Sequence, residues 1–395
     1  MIRRNVERLS RLELPGAGQV SVAGKYAYVG HITNKERLGT SILDVSDPRQ
    51  PRLLSQLHRD DGDSHSHKAR VAGDLMIVNV EQNMGKLGRK AENLSEQKTS
   101  YAEGGFKIYD VSDRSKPKLI THHRTHGRGV HRFDMDERYA YLSTEMEGYV
   151  GNILVIYDIR NPARPEEVAR WWMPGQHVAG GEKPTWAGRR NRLHHALRFG
   201  DELWAGCWHA GVRVIDVSNI REPRTIGEYN YHPPFPEPSH TFMPVPERIG
   251  GRRIAVAIDE EDHVHSAEEM ERRRGRPHGC LWVLDVTDLK NIQPLSIFEV
   301  SELDSPWSRA APGRFGAHQF QEHMEGTLVY CAWFAGGLRI VDIADPAAPQ
   351  EVGHFIPEPA AGKVAPQTND VDVDVRGLVY IGDRYTGFDV LEFKR

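Results

Sequence analysis

The sequence predicts an all-β fold, a seven-bladed β-propeller closed by its N-terminal strand, and two observations predict it. Short apolar runs that end in Asp recur along the chain, as in TSILDVSDP, LVIYDIRNP and LRIVDIADP. Each run follows a stretch rich in β-branched and aromatic residues, such as YAYVG or LVYIG, as expected for adjacent strands of one sheet. The runs end 47 to 69 residues apart, a blade-sized period, at Asp44, Asp110, Asp158, Asp216, Asp285, Asp342 and Asp389.

The two ends of the chain predict how the ring closes. The last repeat stops within a few residues of Asp389 and so lacks an outer strand, whereas residues 5–15 precede the first repeat without a partner. We therefore expect residues 5–15 to complete the last blade, which would cover the exposed sheet edges. Residues 1–395 then form a single domain.

The repeated runs also carry a family resemblance. LRIVD, LVIYD and VRVID resemble the motif of the LVIVD-repeat proteins, and the resemblance covers nearly all of the chain. It implies a β-propeller, but it implies no activity, because the activity of that family is largely unassigned and propellers carry unrelated chemistries. The segment WHAGVRVIDVSN is more faintly similar to the selenium-binding (methanethiol oxidase) propellers, which are also rich in histidine.

Composition narrows the function classes. A formal charge of -4 argues against a nucleic-acid partner, and no stretch has the length needed to cross a bilayer. The basic N-terminal segment lacks the apolar region of a secretory signal. Cys207, Cys280 and Cys331 show no CxxC spacing, which favours reduced thiols over disulfides or a thiolate zinc site. We expect a cytoplasmic protein that acts on a small molecule, while the sequence leaves its oligomeric state open.

A histidine recurs near the start of the innermost strand in five repeats. Three of these histidines lie eight residues before the following strand, and two occupy the same role in SHTF and AHQF. Innermost strands line the channel of a propeller, so these imidazoles are predicted to converge on the axis and to bind one transition-metal ion, with Fe(II) favoured, then Cu, Zn or Mn. The predicted metal ligands are His67, His131, His195, His240 and His318.

Several neighbouring positions bear on this prediction. The two remaining repeats have Asn369 and a small residue near Gly18 at the same place, which leaves a gap in the ring. His65, in DSHSHK, is a further ligand candidate. His194 is left out because its strand phase differs from that of His195.

A second set of polar residues lies six residues into the following strand of four repeats. Three of its members stand 14 residues after the matching histidine, as expected for positions that face each other across a hairpin. A carboxylate there would accept the proton of the non-coordinating ring nitrogen and fix the tautomer. The arrangement is similar to that of the carotenoid-cleaving oxygenases, in which glutamates stand behind iron-binding histidines. The catalytic candidates are Glu81, Glu145, Glu260 and His209.

Three insertions, residues 82–105, 173–192 and 261–279, interrupt the repeats and are predicted to emerge at the histidine end of the channel. Long loops on a rigid scaffold commonly form substrate pockets. The predicted pocket residues are His177, Trp186, Trp208, His263, His265, Trp333 and Asn369.

These patterns favour a metal-dependent oxidoreductase or oxygenase that acts on a small organic substrate. One alternative is a redox-neutral, metal-dependent hydrolase or lyase, in which one of the glutamates would be the base. The other is a non-catalytic interaction platform. The chain has no GxSxG motif, glycine-rich phosphate loop or dinucleotide fingerprint.

Overall fold

A computed structural model describes residues 1–83, 101–186 and 190–394. A three-residue strand and an eight-residue strand begin the chain, and the repeats follow. The strands are β1 (Ile2–Arg4), β2 (Val6–Glu13), β3 (Ala17–Ala23), β4 (Tyr26–His31), β5 (Leu38–Asp44), β6 (Arg52–His58), β7 (Ser64–His65), β8 (Ala69–Ala72), β9 (Leu75–Gln82), β10 (Gly105–Asp110), β11 (Lys118–Arg124), β12 (Val130–Met135), β13 (Tyr139–Glu145), β14 (Asn152–Asp158) and β15 (Glu166–Trp171).

The second half of the chain continues the same strand pattern. In the described residues of this half, one short α-helix and four 3₁₀ turns interrupt the strands. The elements are the turn Val178–Gly180, β16 (Asn191–Phe199), β17 (Glu202–Trp208), β18 (Val212–Asp216), β19 (Arg224–Tyr229), β20 (Ser239–Pro244), β21 (Ile254–Asp259), α1 (Ala267–Arg272), β22 (Leu281–Asp285), the turn Leu289–Asn291, β23 (Gln293–Phe298), the turn Glu302–Asp304, β24 (Ala317–Phe320), β25 (Leu328–Trp333), the turn Phe334–Gly336, β26 (Gly337–Asp342), β27 (Gln350–Ile356), β28 (Thr368–Val373), β29 (Leu378–Asp383) and β30 (Gly387–Phe393).

The all-β class predicted from the sequence is confirmed. In the described part of the chain, antiparallel pairing groups the strands into six sheets. We divide the eight-stranded sheet at its one joining pair and number the resulting units in chain order: β3–β6, β7–β11, β12–β15, β16–β19, β20–β23, β24–β27, and β28–β30 with β2. Unit two has its inner strand in two pieces, β7 and β8, and β1 adds to the outer edge of unit six. A single pair, Trp208 with Ser239, joins units four and five.

The inner strands form a closed ring. β3, β8, β12, β16, β20, β24 and β28 contact one another in that order, and β28 contacts β3 in turn. Strand β2 pairs with β30 from Val6 opposite Phe393 to Glu13 opposite Gly387, so the two ends of the chain share one sheet. This pairing gives the last unit its fourth strand.

Apolar side chains fill the spaces between neighbouring sheets. Tyr141 and Leu154 of unit three, for example, belong to one buried cluster with Ala205 and Ile215 of unit four. Burial of such faces is the main favourable term in folding, and it fixes the angle between adjacent units. No helix in the described ranges has the length and apolar character needed to cross a membrane.

The repeat aspartates mostly shape turns. The carboxylate of Asp110 accepts the backbone N–H of Ser112 at 2.8 Å, and Asp216 does the same with Ser218 at 2.9 Å. Such Asp-centred turns provide hydrogen-bond acceptors for backbone N–H groups where a strand ends. Asp389 differs, because it is buried and pairs with arginines of strand β2.

Candidate metal centre

A β-bulge interrupts the start of the inner strand in each described unit except the second. In unit three, Val130 pairs with Thr144 and Arg132 pairs with Ser143, so His131 has no partner in the ladder. A bulged residue leaves the regular alternation and points its side chain in a new direction. The pairing skips His240 of β20 and His318 of β24 in the same way. The bulge therefore gives successive histidines a common orientation.

Five imidazoles follow one another around the channel in chain order. The ring centroids of successive members lie 6.0, 4.8, 3.9 and 4.5 Å apart. Beyond the last member, the side chain of Asn369 donates to the carbonyl of Gly18 at 2.6 Å. These two residues lie where the sequence places no histidine. The five members of this histidine arc are His67, His131, His194, His240 and His318.

The structure corrects one predicted ligand, because His194 and not His195 lies in the arc. The sequence count began at Leu203, whereas β17 begins one residue earlier, at Glu202. Eight residues before Glu202 is His194. A wide bulge between Asn191 and His195 changes the strand phase that argued against it. The buried side chain of His195 instead lies 3.3 Å from Glu322.

Three histidines of the arc use their Nδ1 atoms to donate hydrogen bonds to oxygens. Nδ1 of His131 lies 2.8 Å from a carboxylate oxygen of Glu81, and Nδ1 of His194 lies 3.0 Å from the carbonyl of His240. Nδ1 of His318 contacts the carbonyl of Asn369. Carbonyl and carboxylate oxygens only accept, so each Nδ1 carries the proton and each neutral ring has an unprotonated Nε2.

His240 has the same tautomer through a longer chain of hydrogen bonds. The amide of Gln319 donates to Glu322 at 2.8 Å, so its oxygen accepts the hydroxyl proton of Thr241 at 2.6 Å. The Thr241 oxygen then accepts from Nδ1 of His240 at 2.8 Å. Four histidines of the arc are therefore held with Nε2 unprotonated, the form that binds metals.

The unprotonated atoms lie close together. Nε2 of His131 and Nε2 of His194 are 2.9 Å apart. Nε2 of His240 and Nε2 of His318 each lie 3.8 Å from a carboxylate oxygen of Glu260. In the described ranges, His194, His240 and Glu260 offer ligand atoms within 4.8 Å of one another. This group has the donor types and the spacing of a metal centre.

Burial keeps these imidazoles neutral. It lowers the pKa of His131, and it lowers the pKa values of His194, His240 and His318 well below the usual value. Nearby cations such as Arg132 act in the same direction on His194. The rings therefore have lone pairs for a cation at neutral pH and do not require deprotonation first.

His67, at one end of the arc, differs from the other members and packs against His65. Their rings lie 3.8 Å apart, and burial lowers the pKa of His65 to about 3. Nζ of Lys68 contacts Nε2 of His67, which therefore accepts from the lysine. Nδ1 of His65 lies 3.1 Å from the hydroxyl of Thr33. Of the predicted ligands, His67 is thus the one whose Nε2 is occupied within the protein.

The carboxylates pair differently from the hairpin prediction. Glu81 contacts His131 of the next unit instead of His67 of its own hairpin. Burial alone would raise the pKa of Glu81, but His131 and Arg128 hold it at about 2, so the carboxylate is ionised. Glu145 accepts from the backbone N–H and the Nε of Arg128 at 2.9 and 3.2 Å and contacts no histidine of the arc.

The other two predicted catalytic residues also have partners. Glu260 lies between His240 and His318 and pairs with Arg314 at 3.0 Å. His209 lies outside the arc, where its Nδ1 accepts the backbone N–H of Arg190 at 3.1 Å.

Two of the predicted pocket residues border the arc and one does not. The indole of Trp208 stacks on His194 with ring centroids 5.0 Å apart, and Asn369 lies at the open end of the arc. Trp333 is instead fully buried in the core cluster between units five and six, with its ring 6.0 Å from that of Phe298.

The predicted residues of the insertions pack within their own loops. His177 stacks on Tyr149 at 4.5 Å, and Trp186 packs close to Gly175. His263 is exposed, and His265 is buried beside Glu261 at 3.4 Å. Residues 84–100 of the first insertion and 187–189 of the second lie outside the described residues.

A layer of charged residues beneath the arc was not identified from the sequence. Arg132 contacts Glu322 and lies 3.9 Å from Asp370, and Nδ1 of His195 lies 3.3 Å from Glu322. Arg132 and His195 directly follow the arc positions His131 and His194, so their side chains point away from the arc and down the channel. The layer separates the arc from a cavity of about 520 Å³ at the opposite end.

Comparison with known proteins identifies the repeat and the fold. The LVIVD repeat model matches residues 16–57, 137–171 and 324–356. A solved structure of RRP9 WD40 repeats is similar at 8% identity, with a TM-score of 0.59 over 98% of this chain and 97% of that one. A chain of a mitotic checkpoint complex gives 9% and 0.59 over 99% and 96%, and the computationally designed Ika8 protein gives 9% and 0.52 over 97% and 98%. No curated protein matches the chain. The chain carries LVIVD repeats and has the β-propeller fold of the WD40 proteins.

Proposed function

We propose that the protein is a metalloenzyme that binds one transition-metal ion through Nε2 of His131, His194, His240 and His318. The observation that carries this proposal is the shared tautomer. In each of the four rings Nδ1 donates to a fixed oxygen, so four unprotonated Nε2 atoms remain. An outer hydrogen bond of this kind orients a ligating imidazole and raises its basicity.

The favoured reaction class is oxidation of a small organic substrate. Neutral imidazole suits Fe(II) and Cu as well as Zn or Mn. A bound Fe(II) or Cu ion would supply one-electron chemistry with dioxygen. The protein would orient the ion through rigid strands, exclude water by burial of the arc, and admit substrate beside His131, whose side chain is 21% exposed while the other three ligands are almost fully buried.

The redox-neutral alternative needs a general base near the ion, and the glutamates are poorly placed for that role. Each of the three carboxylates already accepts a hydrogen bond from another side chain. The donors are His131 for Glu81, Arg128 for Glu145 and Arg314 for Glu260. A carboxylate whose oxygens already accept from these partners is not free to accept a proton from a water molecule at the ion, because a general base must be within hydrogen-bond reach of the proton that it takes. The geometry therefore favours the oxidoreductase over a hydrolase or lyase.

We also propose that the protein resides in a reducing compartment. The three cysteines are buried and unpaired, as expected for a protein of the cytoplasm.

The test is metal content by inductively coupled plasma mass spectrometry on protein purified without a histidine tag, followed by assays of oxygen consumption. Near-stoichiometric iron or copper, lost in His194→Ala with the fold retained, is the expected result. Stoichiometric zinc without oxygen consumption would contradict the redox assignment. Absence of metal after anaerobic reconstitution with Fe(II), Cu, Zn and Mn would contradict the metal site and leave an interaction platform.

A further inference from the structure

Two stacks of side chains pack against histidines of the arc. In unit four, His194 stacks on Trp208, and the guanidinium of Arg192 lies 4.8 Å from the indole centroid. In unit six, His318 stacks on Phe334 at 4.8 Å, and the guanidinium of Arg384 lies 5.2 Å from that ring. Each stack therefore places a cation one aromatic ring away from a proposed metal ligand.

Most arginines near the arc have carboxylate partners. Arg128 pairs with Glu145 at 3.2 Å, and Arg314 pairs with Glu260 at 3.0 Å. Arg190 pairs with Asp262. These pairs neutralise each other and leave no net charge for a ligand.

Arg192 and Arg384 are the exceptions among the described residues near the arc. Arg192 makes neither a hydrogen bond nor an ion pair to any described residue, and its Nε is buried without a partner. Arg384 donates from Nε to the side-chain oxygen of Asn369 at 2.5 Å and pairs with no described carboxylate. A buried donor without a partner, such as Nε of Arg192, is costly, which indicates that a ligand completes it.

The backbone at Trp208 supports the same interpretation. Trp208 has φ +56°, in the left-handed region that bulky residues rarely adopt, and its side chain is almost fully buried. Such strain persists where the surroundings enforce it, and it concentrates at functional sites. The indole of Trp208 stacks on the proposed ligand His194 and also contacts the guanidinium of Arg192.

We propose that the site takes an anionic substrate, a carboxylate or another oxyanion, recognised by Arg192 and Arg384 beside the metal ion. This inference rests on the proposed function for the metal ion. The negative charge of the substrate is inferred from the two arginines alone. The planar guanidinium presents paired donors that match two oxygens of a carboxylate or phosphate. A neutral substrate would leave both guanidinium groups without a negative partner.

The test is isothermal titration calorimetry with acetate and with inorganic phosphate, and with acetamide as the neutral match of acetate. The titrations use metal-loaded wild-type protein, Arg192→Gln and Arg384→Gln. Arg221→Gln, which removes an exposed charge from an outer turn, is the matched control, and Arg192→Lys retains charge without the paired donors. Metal content and circular dichroism are measured on every variant.

We expect one of the two anions to bind at least tenfold more tightly to the wild type than to Arg192→Gln or Arg384→Gln, with metal content unchanged and Arg221→Gln behaving as wild type. Which anion binds distinguishes a carboxylate from a phosphate substrate. Equal affinity in all variants, equal binding of acetamide and acetate, or no binding of either anion would overturn the proposal. If the wild type retains no metal, the proposed function fails, and the same titrations on metal-free protein still decide the anion site.

Discussion

Nε2 of His131 and Nε2 of His194 lie 2.9 Å apart, although both rings already donate their Nδ1 protons elsewhere. Two unprotonated nitrogens at this distance repel each other unless a cation lies beside both. Metal–nitrogen bonds of about 2.0 to 2.1 Å to a shared ion would bring two ligand nitrogens to within about 3 to 3.5 Å of each other. The pair therefore has the spacing of neighbouring metal ligands.

Replacement of His194 by Ala is expected to lower metal affinity at least a hundredfold, because it removes a proposed ligand from the centre of the arc. His195→Ala is the matched control, since its side chain lies in the charged layer beside Glu322. Metal content and competition with a chelator measure both variants. Loss of metal from His195→Ala with retention in His194→Ala would reverse the assignment made from the structure.

Glu81→Gln tests the outer hydrogen bond. The ionised carboxylate accepts from Nδ1 of His131 at 2.8 Å, and its loss is expected to weaken metal binding about 10- to 100-fold. Glu145→Gln is the control, because Glu145 occupies the corresponding place in unit three but contacts Arg128. The same chelator titration applies, and equal effects of the two substitutions would show that the carboxylate acts only through general charge.

Much of this architecture follows from sequence periodicity. Local residue patterns that recur from unit to unit predict the strands, the repeat aspartates and four of the five arc histidines. The choice between His194 and His195 depends on where β17 begins and on a bulge, and neither leaves a clear signal in single-residue preferences.

The partners of the arc depend on packing between units. Glu81 faces a histidine of the next blade, and Arg132 meets Glu322 across the channel, separated by 190 residues in the chain. No spacing within one repeat encodes such contacts. Trp208 and Trp333 show the same limit, since similar segments place one beside the arc and the other in the core.

Asp389→Ala is expected to reduce the free energy of unfolding by about 3 kcal/mol, because the buried carboxylate pairs with two arginines of strand β2. Arg11 contacts it through two nitrogens at 2.8 Å each, and Arg8 at 2.9 Å. Asp158→Ala removes another repeat aspartate, whose partner Arg160 is 63% exposed, and should cost about 1 kcal/mol or less. Urea denaturation compares the two, and similar losses would contradict a special role for Asp389 in joining the chain ends.

Acid should destabilise the fold through His31. This imidazole is fully buried, donates from Nδ1 to the carbonyl of Pro15 at 2.6 Å and lies 2.7 Å from the hydroxyl of Ser41. Burial lowers its pKa from 6.5 to about 4. The unfolded chain therefore binds a proton that the folded chain does not, and the contribution of His31 is fully present above pH 6.5 and is lost as the pH falls toward 4.

A shift of this size corresponds to about 3 kcal/mol. His31→Gln can keep a hydrogen bond to Ser41 without taking up a proton, so its stability should fall less steeply than that of the wild type below pH 6.5. Urea denaturation of metal-free protein at several pH values measures both slopes, and the metal-free state keeps the arc histidines in the same condition in each sample. Since those histidines also have lowered pKa values, both proteins should lose stability in acid, and only the difference between the slopes reports on His31. Parallel curves for wild type and His31→Gln would show that the buried imidazole does not resist protonation in the folded state.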